Sequence, residues 1–274
     1  MKTLIKKWLA KRWLKKYKIT NYTFNSVGEI DVNGSVDLSS RNLTRFPTFI
    51  QFGVVKGNFY CNGNYFTSLI GCPKMVEGGF LCFNNKLTSL KGSPREVGGR
   101  FDCSGNNLTT LEGAPKKIDR NFDCSINKLI SLKGSPEKVK GYFYCNFNNL
   151  TTLEGAPKNV GEDFYCRYNK LTSLKGAPKE VGGRFDCSDN NLTSLKGAPN
   201  KVGRDFDCYY NKLTSLEGAP REVGRSFDCS LNNMTIIEGA PKEVGRGFRC
   251  INNSAKFTED DVKKVCKVKG KILV

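Results

Sequence analysis

The chain contains no histidine. That removes the side chain most often used as a general base and most often found on a metal. Neither G-x-S-x-G, nor G-x-x-x-x-G-K-[ST], nor a zinc-type pairing of cysteines occurs. With no nucleophile–base set to assemble, enzymatic activity is not expected. A cofactor, a bound metal and a small-molecule substrate are not expected either. Long apolar runs are also missing: no stretch approaches the ~18 residues of a membrane span. The first residues are too often interrupted by lysine to form the apolar stretch of a secretory signal. Acids are absent from residues 1–20, where Lys2, Lys6, Lys7, Lys11, Arg12, Lys15, Lys16 and Lys18 supply +8 of the formal +18. Hydrophobic residues make up 38% of 274, low for a compact domain of that size. Proline is confined, with nine of ten at one recurring position from Pro73 to Pro241.

That confinement reflects a repeat. The line F-x-C-x-x-N-x-L-T-S-L-x-G-A-P-x-x-V returns every 21 residues, with its Phe at Phe59, Phe80 and so on to Phe248. A strict period of this length predicts a stack of similar coils instead of a globule with one cleft. Each coil buries one slice of core, which accounts for the low apolar content. Within residues 185–204, Phe185 and Cys187 alternate with Arg184, Asp186 and Ser188, the pattern of a short strand with one face inward. Asn190 stands where the chain must turn, and its column runs from Asn64 to Asn253. A buried Asn there can bond the backbone of its own and the adjacent coil. Leu192 and Leu195 point inward again. Gly197, Ala198 and Pro199 make the far turn, and Val202 closes the core before the next strand.

Ten of the twelve cysteines occupy one repeat position, two residues after each Phe, from Cys61 to Cys250. Neighbouring parallel strands lie ~4.8 Å apart, whereas a disulfide wants Cβ atoms at ~3.8 Å and a particular torsion. The column is therefore expected to be reduced core packing, not bridges and not metal ligands. A ladder of thiols suits a reducing cytosol, bacterial or that of an infected host cell.

The pattern V-x-x-x-F-x-C-x-x-N-x-L resembles the leucine-rich-repeat pattern L-x-x-L-x-L-x-x-N-x-L over about residues 36–257. Phe and Cys stand at two Leu positions, and the first spacing is one residue longer. The resemblance implies a mainly β repeat solenoid, a stack of right-handed coils with one parallel sheet on its concave face. The fuller wording F-D-C-S-x-N-x-L-T-S-L-x-G-A-P-K-E-V-G-G is similar to uncharacterised repeat proteins of tailed bacteriophages and bacteria. It implies a phage or bacterial setting.

The chain divides by pattern into a basic N-terminal helix (1–20), a cap (21–58), nine repeats (59–247), and a last half-repeat with a C-terminal helix cap (248–274). In the first cap, Ile30 and Val32 lead into Asn33-Gly34 and then Val36 and Leu38, the pattern of a hairpin with a tight turn. Residues 36–38 are read as the first rung. At the other end Thr258 and Asp261 mark a helix start.

In a leucine-rich-repeat solenoid the concave face usually carries binding. Three positions per coil are expected to point out there: before Phe, after Phe and after Cys. They give a line of Asp186, Asp207 and Asp228, with Arg184 and Asp205 beside it, and an aromatic cluster in the middle coils. That cluster is Tyr142, Tyr144, Tyr165 and Tyr209, with Arg167, and with Phe147, Tyr168 and Tyr210 one residue further on, at the rim. Exposed Tyr with Arg is the composition of interface hot spots. The expected function is a non-enzymatic scaffold that engages a partner protein through this face. If the chain is phage-encoded, the partner would be a host protein such as a defence factor. The alternatives are nucleic-acid or anionic-surface binding, and a structural virion-associated role. The basic helix is expected to pack Trp8 and Trp13 on the cap, through an arc that holds Ile5, Trp8 and Leu9. Its Lys7, Lys11, Lys15 and Lys18 would then be free for weak contact with nucleic acid or an anionic membrane.

Overall fold

The computed structural model describes residues 2–274, with side chains from Leu4 onward. The chain forms two compact units. The first holds the residues up to Lys128 together with Gly134–Pro136; the second holds Leu129–Lys133 together with Glu137–Val274. Both are parallel β-solenoids built from the same coil.

One coil of the second unit shows why this sequence stacks. The strand Phe185–Asp186 pairs in parallel with Phe164–Tyr165 on one side and Phe206–Asp207 on the other. Phe meets Phe because the 21-residue period equals one turn of the coil. Adjacent Phe rings lie 5.3–5.4 Å apart and nearly parallel, and each buries a side chain worth ~2–3 kcal/mol. Cys187, Leu192, Leu195 and Val202 complete the slice, all buried.

The Asn column answers what happens to the backbone at the turn. Asn190 Nδ2 donates to the carbonyls of Cys166, Cys187 and Ser188 at 3.0–3.1 Å. Its Oδ1 accepts from the Leu171 amide at 3.0 Å. One buried amide thus satisfies polar groups of two coils, as the residue pattern indicates.

Past Gly197, which holds φ +91° in the far turn, the chain forms a second short strand. Lys201–Val202 pairs in parallel with Glu180–Val181 and Glu222–Val223. Each unit therefore carries a Val sheet in addition to the Phe sheet, where the sequence reading had one. The Val strand is legible only in three dimensions, because two residues are too few to show a period. Gly203 follows it, and a Cβ there would overlap the carbonyl oxygen of Gly182. At Gly203 itself a side chain would need this corner to shift.

The first unit begins with α1 (Lys2–Lys16), β1 (Tyr22–Phe24), β2 (Ile30–Val32) and β3 (Val36–Asp37). The hairpin is not the one the Asn33-Gly34 signal suggested. β1 pairs antiparallel with β2, while β3 pairs in parallel with Phe59–Tyr60 in the Phe sheet. Asn33 and Gly34 instead carry the chain from one sheet to the other. β3 lies at the end of the Phe sheet, with Val36 opposite Phe59.

α1 ends in a Schellman arrangement: the Ile19 amide donates to the Leu14 carbonyl at 3.0 Å, and that of Lys18 to the Lys15 carbonyl at 3.1 Å. Lys18 takes φ +55°, so it lies beyond the helix. The docked face of α1 also differs from the expected one. Ala10 and Leu14 are buried, and the Trp13 ring lies 6.2 Å from Phe46 and 6.4 Å from Phe52. Ile5 and Trp8 point to solvent. The reason is steric: Ala10 permits close approach at the centre of the face that Trp13 and Leu14 flank.

In the second unit, Thr258 caps α2 (Glu259–Val265), accepting from the Asp261 amide while the Asp261 carboxylate accepts from the Thr258 amide. Strands Lys267–Val268 and Ile272–Leu273 then cover the open edges of the two sheets.

Candidate functional site

The Phe-sheet face of the second unit does not present the acidic line that alternation predicts. Asp186 is fully buried and Asp207 nearly so. The strands that carry Asp186 and Asp207 are only two residues long, so the Asp sits at the start of a turn and folds back onto it. Asp186 Oδ1 accepts from the Ser188 amide at 3.1 Å and from its hydroxyl at 2.5 Å. Arg184 then lies across two coils, with Nε 2.5 Å from Asp207 Oδ2 and Nη2 3.6 Å from Asp186 Oδ2. Burial pushes the Asp207 carboxyl up to about 7, against the pull of the Arg184 guanidinium. Asp186 and Asp207 are thus corrected from partner contacts to internal acceptors, and Arg184 from a solvent-facing cation to their cover. Asp228 is half-buried, 3.9 Å from Arg249 Nε, and Asp205 is half-buried, accepting from the Ser226 amide at 3.1 Å.

With these charges internal, the aromatic residues remain. Tyr142 and Tyr144 stack at 5.6 Å, and Tyr144 meets Tyr165 at 5.1 Å. The Arg184 guanidinium caps the row, 5.7 Å from the Tyr165 ring. Tyr209 is half-buried on the same sheet face. At the turn, Phe147 and Tyr168 stack at 4.5 Å, with Arg167 5.6 Å from the Tyr168 ring. The structure therefore joins the middle-coil aromatics into two short stacks, one on the strands and one on the turn. Tyr210, on a later turn, meets no other ring among the described residues and is 61% exposed.

The turn column has a backbone property that its side chains oppose. Phe147, Tyr168, Asp189, Tyr210 and Leu231 all hold φ between +53° and +57°. A left-handed backbone costs an L-residue roughly 1–2 kcal/mol, and bulky residues are rare there. The turn itself does not require bulk. In the first unit the same column is filled by Gly63, Asn84 and Gly105, residues suited to positive φ, and then by Ile126. Phe147, Tyr168, Tyr210 and Leu231 are each more than 40% exposed, so the fold gains little packing from them. Leu231 and Ile126 were missed from the sequence. A signal was present, since Gly and Asn recurring at one repeat column mark a positive φ, against which any large apolar residue stands out.

The ladder thiols have no such exposure. Cys166, Cys187, Cys208 and Cys229 are buried and unbridged, and Cys187 Sγ lies 3.3 Å from the Asp207 carbonyl oxygen. Burial pushes the Cys187 thiol well up, and the neighbouring Asp186 and Asp207 add to it. Such a thiol is a poor nucleophile. Among the described residues no group of three or more His, Cys, Asp and Glu could hold a metal ion, and no helix is long and apolar enough to cross a membrane.

No protein-family model matches the chain, and no curated protein matches it in sequence. Among solved structures it is similar to YopM from Yersinia enterocolitica WA-314, a leucine-rich-repeat protein, with TM-score 0.51 and 17% identity. The match covers 80% of this chain and 60% of that one. At this identity the likeness speaks to fold, and the fold is a leucine-rich-repeat solenoid.

Proposed function

We propose that the protein is a non-enzymatic scaffold whose second unit engages a partner protein through the aromatic turn column and the tyrosines beside it. The observation that carries this reading is the left-handed backbone under Phe147, Tyr168, Tyr210 and Leu231. Large apolar side chains held against their own backbone preference, and left in solvent, oppose stability. Strain of this kind collects where a surface serves a task. The stack of Phe147 on Tyr168 and the tilted contact of Tyr144 with Tyr165 add rigid aromatic area, the usual anchor of an interface. Because Asp186 and Asp207 are buried beneath Arg184, the partner is matched to this surface by an apolar or aromatic-accepting patch, not by a basic one. The wording of the repeat, similar to phage proteins, supports a host protein in that place.

The test is a comparison of captured partners by the full chain and by the Phe147→Gly, Tyr168→Gly, Tyr210→Gly triple variant. Glycine fits the backbone at all three, so the variant is expected to fold. A partner retained by the wild type and lost by the variant supports the proposal. Equal capture by a folded triple variant removes the binding site from this surface.

A further inference from the structure

α1 has two apolar faces, and only one of them is used by the fold. Ala10, Trp13 and Leu14 face the cap. Placed at about 100° per residue, Leu4, Ile5 and Trp8 fall on the opposite side. They are 73%, 54% and 55% exposed, a concentration of large apolar side chains that packing against the cap leaves wholly unexplained. Lys11, Arg12, Lys15 and Lys16 lie within the same arc and are all exposed. The Arg12 guanidinium sits 4.7 Å from the Trp8 ring, which keeps cation and indole side by side. No acidic residue occurs in the helix. Of the expected stripe, Lys7 is set apart: it is half-buried, with its ammonium 5.5 Å from the Phe24 ring. Lys18 lies past the helix end.

We propose that this outer face of α1 is a docking surface for an anionic lipid bilayer, on which the helix lies with Leu4, Ile5 and Trp8 entering the headgroup boundary. Charge complementarity and side-chain type choose the occupant together. Indole rings favour the interfacial region, and long cations beside them reach anionic headgroups. A nucleic acid would use the four cations but would have no use for Leu4 and Ile5 between them. A second copy of the chain would oppose the same four cations to themselves. The absence of one clean apolar face, which argues against a membrane helix in the bare sequence, follows from the helix serving two apolar partners on opposite sides.

The test is co-sedimentation of the full chain with phosphatidylcholine vesicles, with and without phosphatidylserine, at physiological salt, alongside tryptophan emission. Binding is expected only with phosphatidylserine, with a blue shift contributed by Trp8. Trp8→Ala and the Leu4→Ala, Ile5→Ala pair should each weaken binding by roughly tenfold or more. Arg12→Gln and Lys15→Gln should each weaken it by about fivefold. All these side chains point to solvent, so circular dichroism should not change. Absence of phosphatidylserine-dependent binding overturns the proposal. So does binding that Trp8→Ala leaves undiminished, which would make the face a purely electrostatic patch. Tighter binding to duplex DNA than to the vesicles, insensitive to Trp8→Ala, would assign it to nucleic acid instead.

Discussion

Replacing Tyr210 with glycine should stabilise the protein, although it deletes an entire aromatic ring. Tyr210 holds φ +55° and is 61% exposed. Among the described residues its ring meets no other ring, unlike Phe147 and Tyr168. Relief of the left-handed backbone is worth about 1–2 kcal/mol. The greater freedom of glycine in the unfolded chain takes back about 0.5–1 kcal/mol. The net expectation is a gain of roughly 0–1.5 kcal/mol. Tyr210→Ala provides the internal reference, because alanine loses the ring yet keeps the Cβ that strains the backbone. The two variants should differ by about 1 kcal/mol in favour of glycine. The assay is urea unfolding followed by circular dichroism, with the midpoints compared at constant slope. If Tyr210→Gly is no more stable than Tyr210→Ala, the turn carries no strain, and the argument for a surface selected against stability fails. The same comparison at Phe147 should come out near neutral, since the stack with Tyr168, worth about 0.5–1.5 kcal/mol, is lost as the strain is relieved.

Four further outcomes concern other columns of the second unit. Asn190→Ala orphans the buried Leu171 amide and removes three donor bonds; it should destabilise by roughly 3–5 kcal/mol. The terminal Asn253 donates to Cys229 and Cys250 but accepts nothing at Oδ1, so Asn253→Ala should cost clearly less in the same unfolding assay. Native protein should resist alkylation at Cys166, Cys187, Cys208 and Cys229, and unfolded protein should react at all of them; mass spectrometry finding fast native labelling there would contradict a closed core. Asp207 is raised from its ordinary 3.8 to about 7, so the stability it contributes is full below 3.8 and is lost as pH rises through about 7. Asp207→Asn should flatten that part of the stability profile, and an unchanged profile would place the titration elsewhere.

What could be read directly from the residues is whatever the period carries. A repeat of 21 residues fixes which side chains lie above one another. Hence Phe185 on Phe206, the Cys column, the Leu pair and the Asn ladder were all legible before any coordinates. Thr258 with Asp261 was legible for a local reason, because a capping box spans only four residues. The tertiary structure decided what depends on direction within a coil and on neighbours in the next one. Alternation placed Asp186 outward, but a two-residue strand ends before alternation can govern, and the carboxylate turns back to Ser188 beneath Arg184. The bond from Arg184 to Asp207 spans 23 residues, two more than the repeat, so no reading along one column would pair them. The backbone sign under Phe147 and Tyr210 is set by the turn, not by their own preference. The docked face of α1 was decided by the shape of the cap it meets. Trp13 finds Phe46 and Phe52, while Trp8, on the same helix, lies beside Arg12 and is more than half exposed.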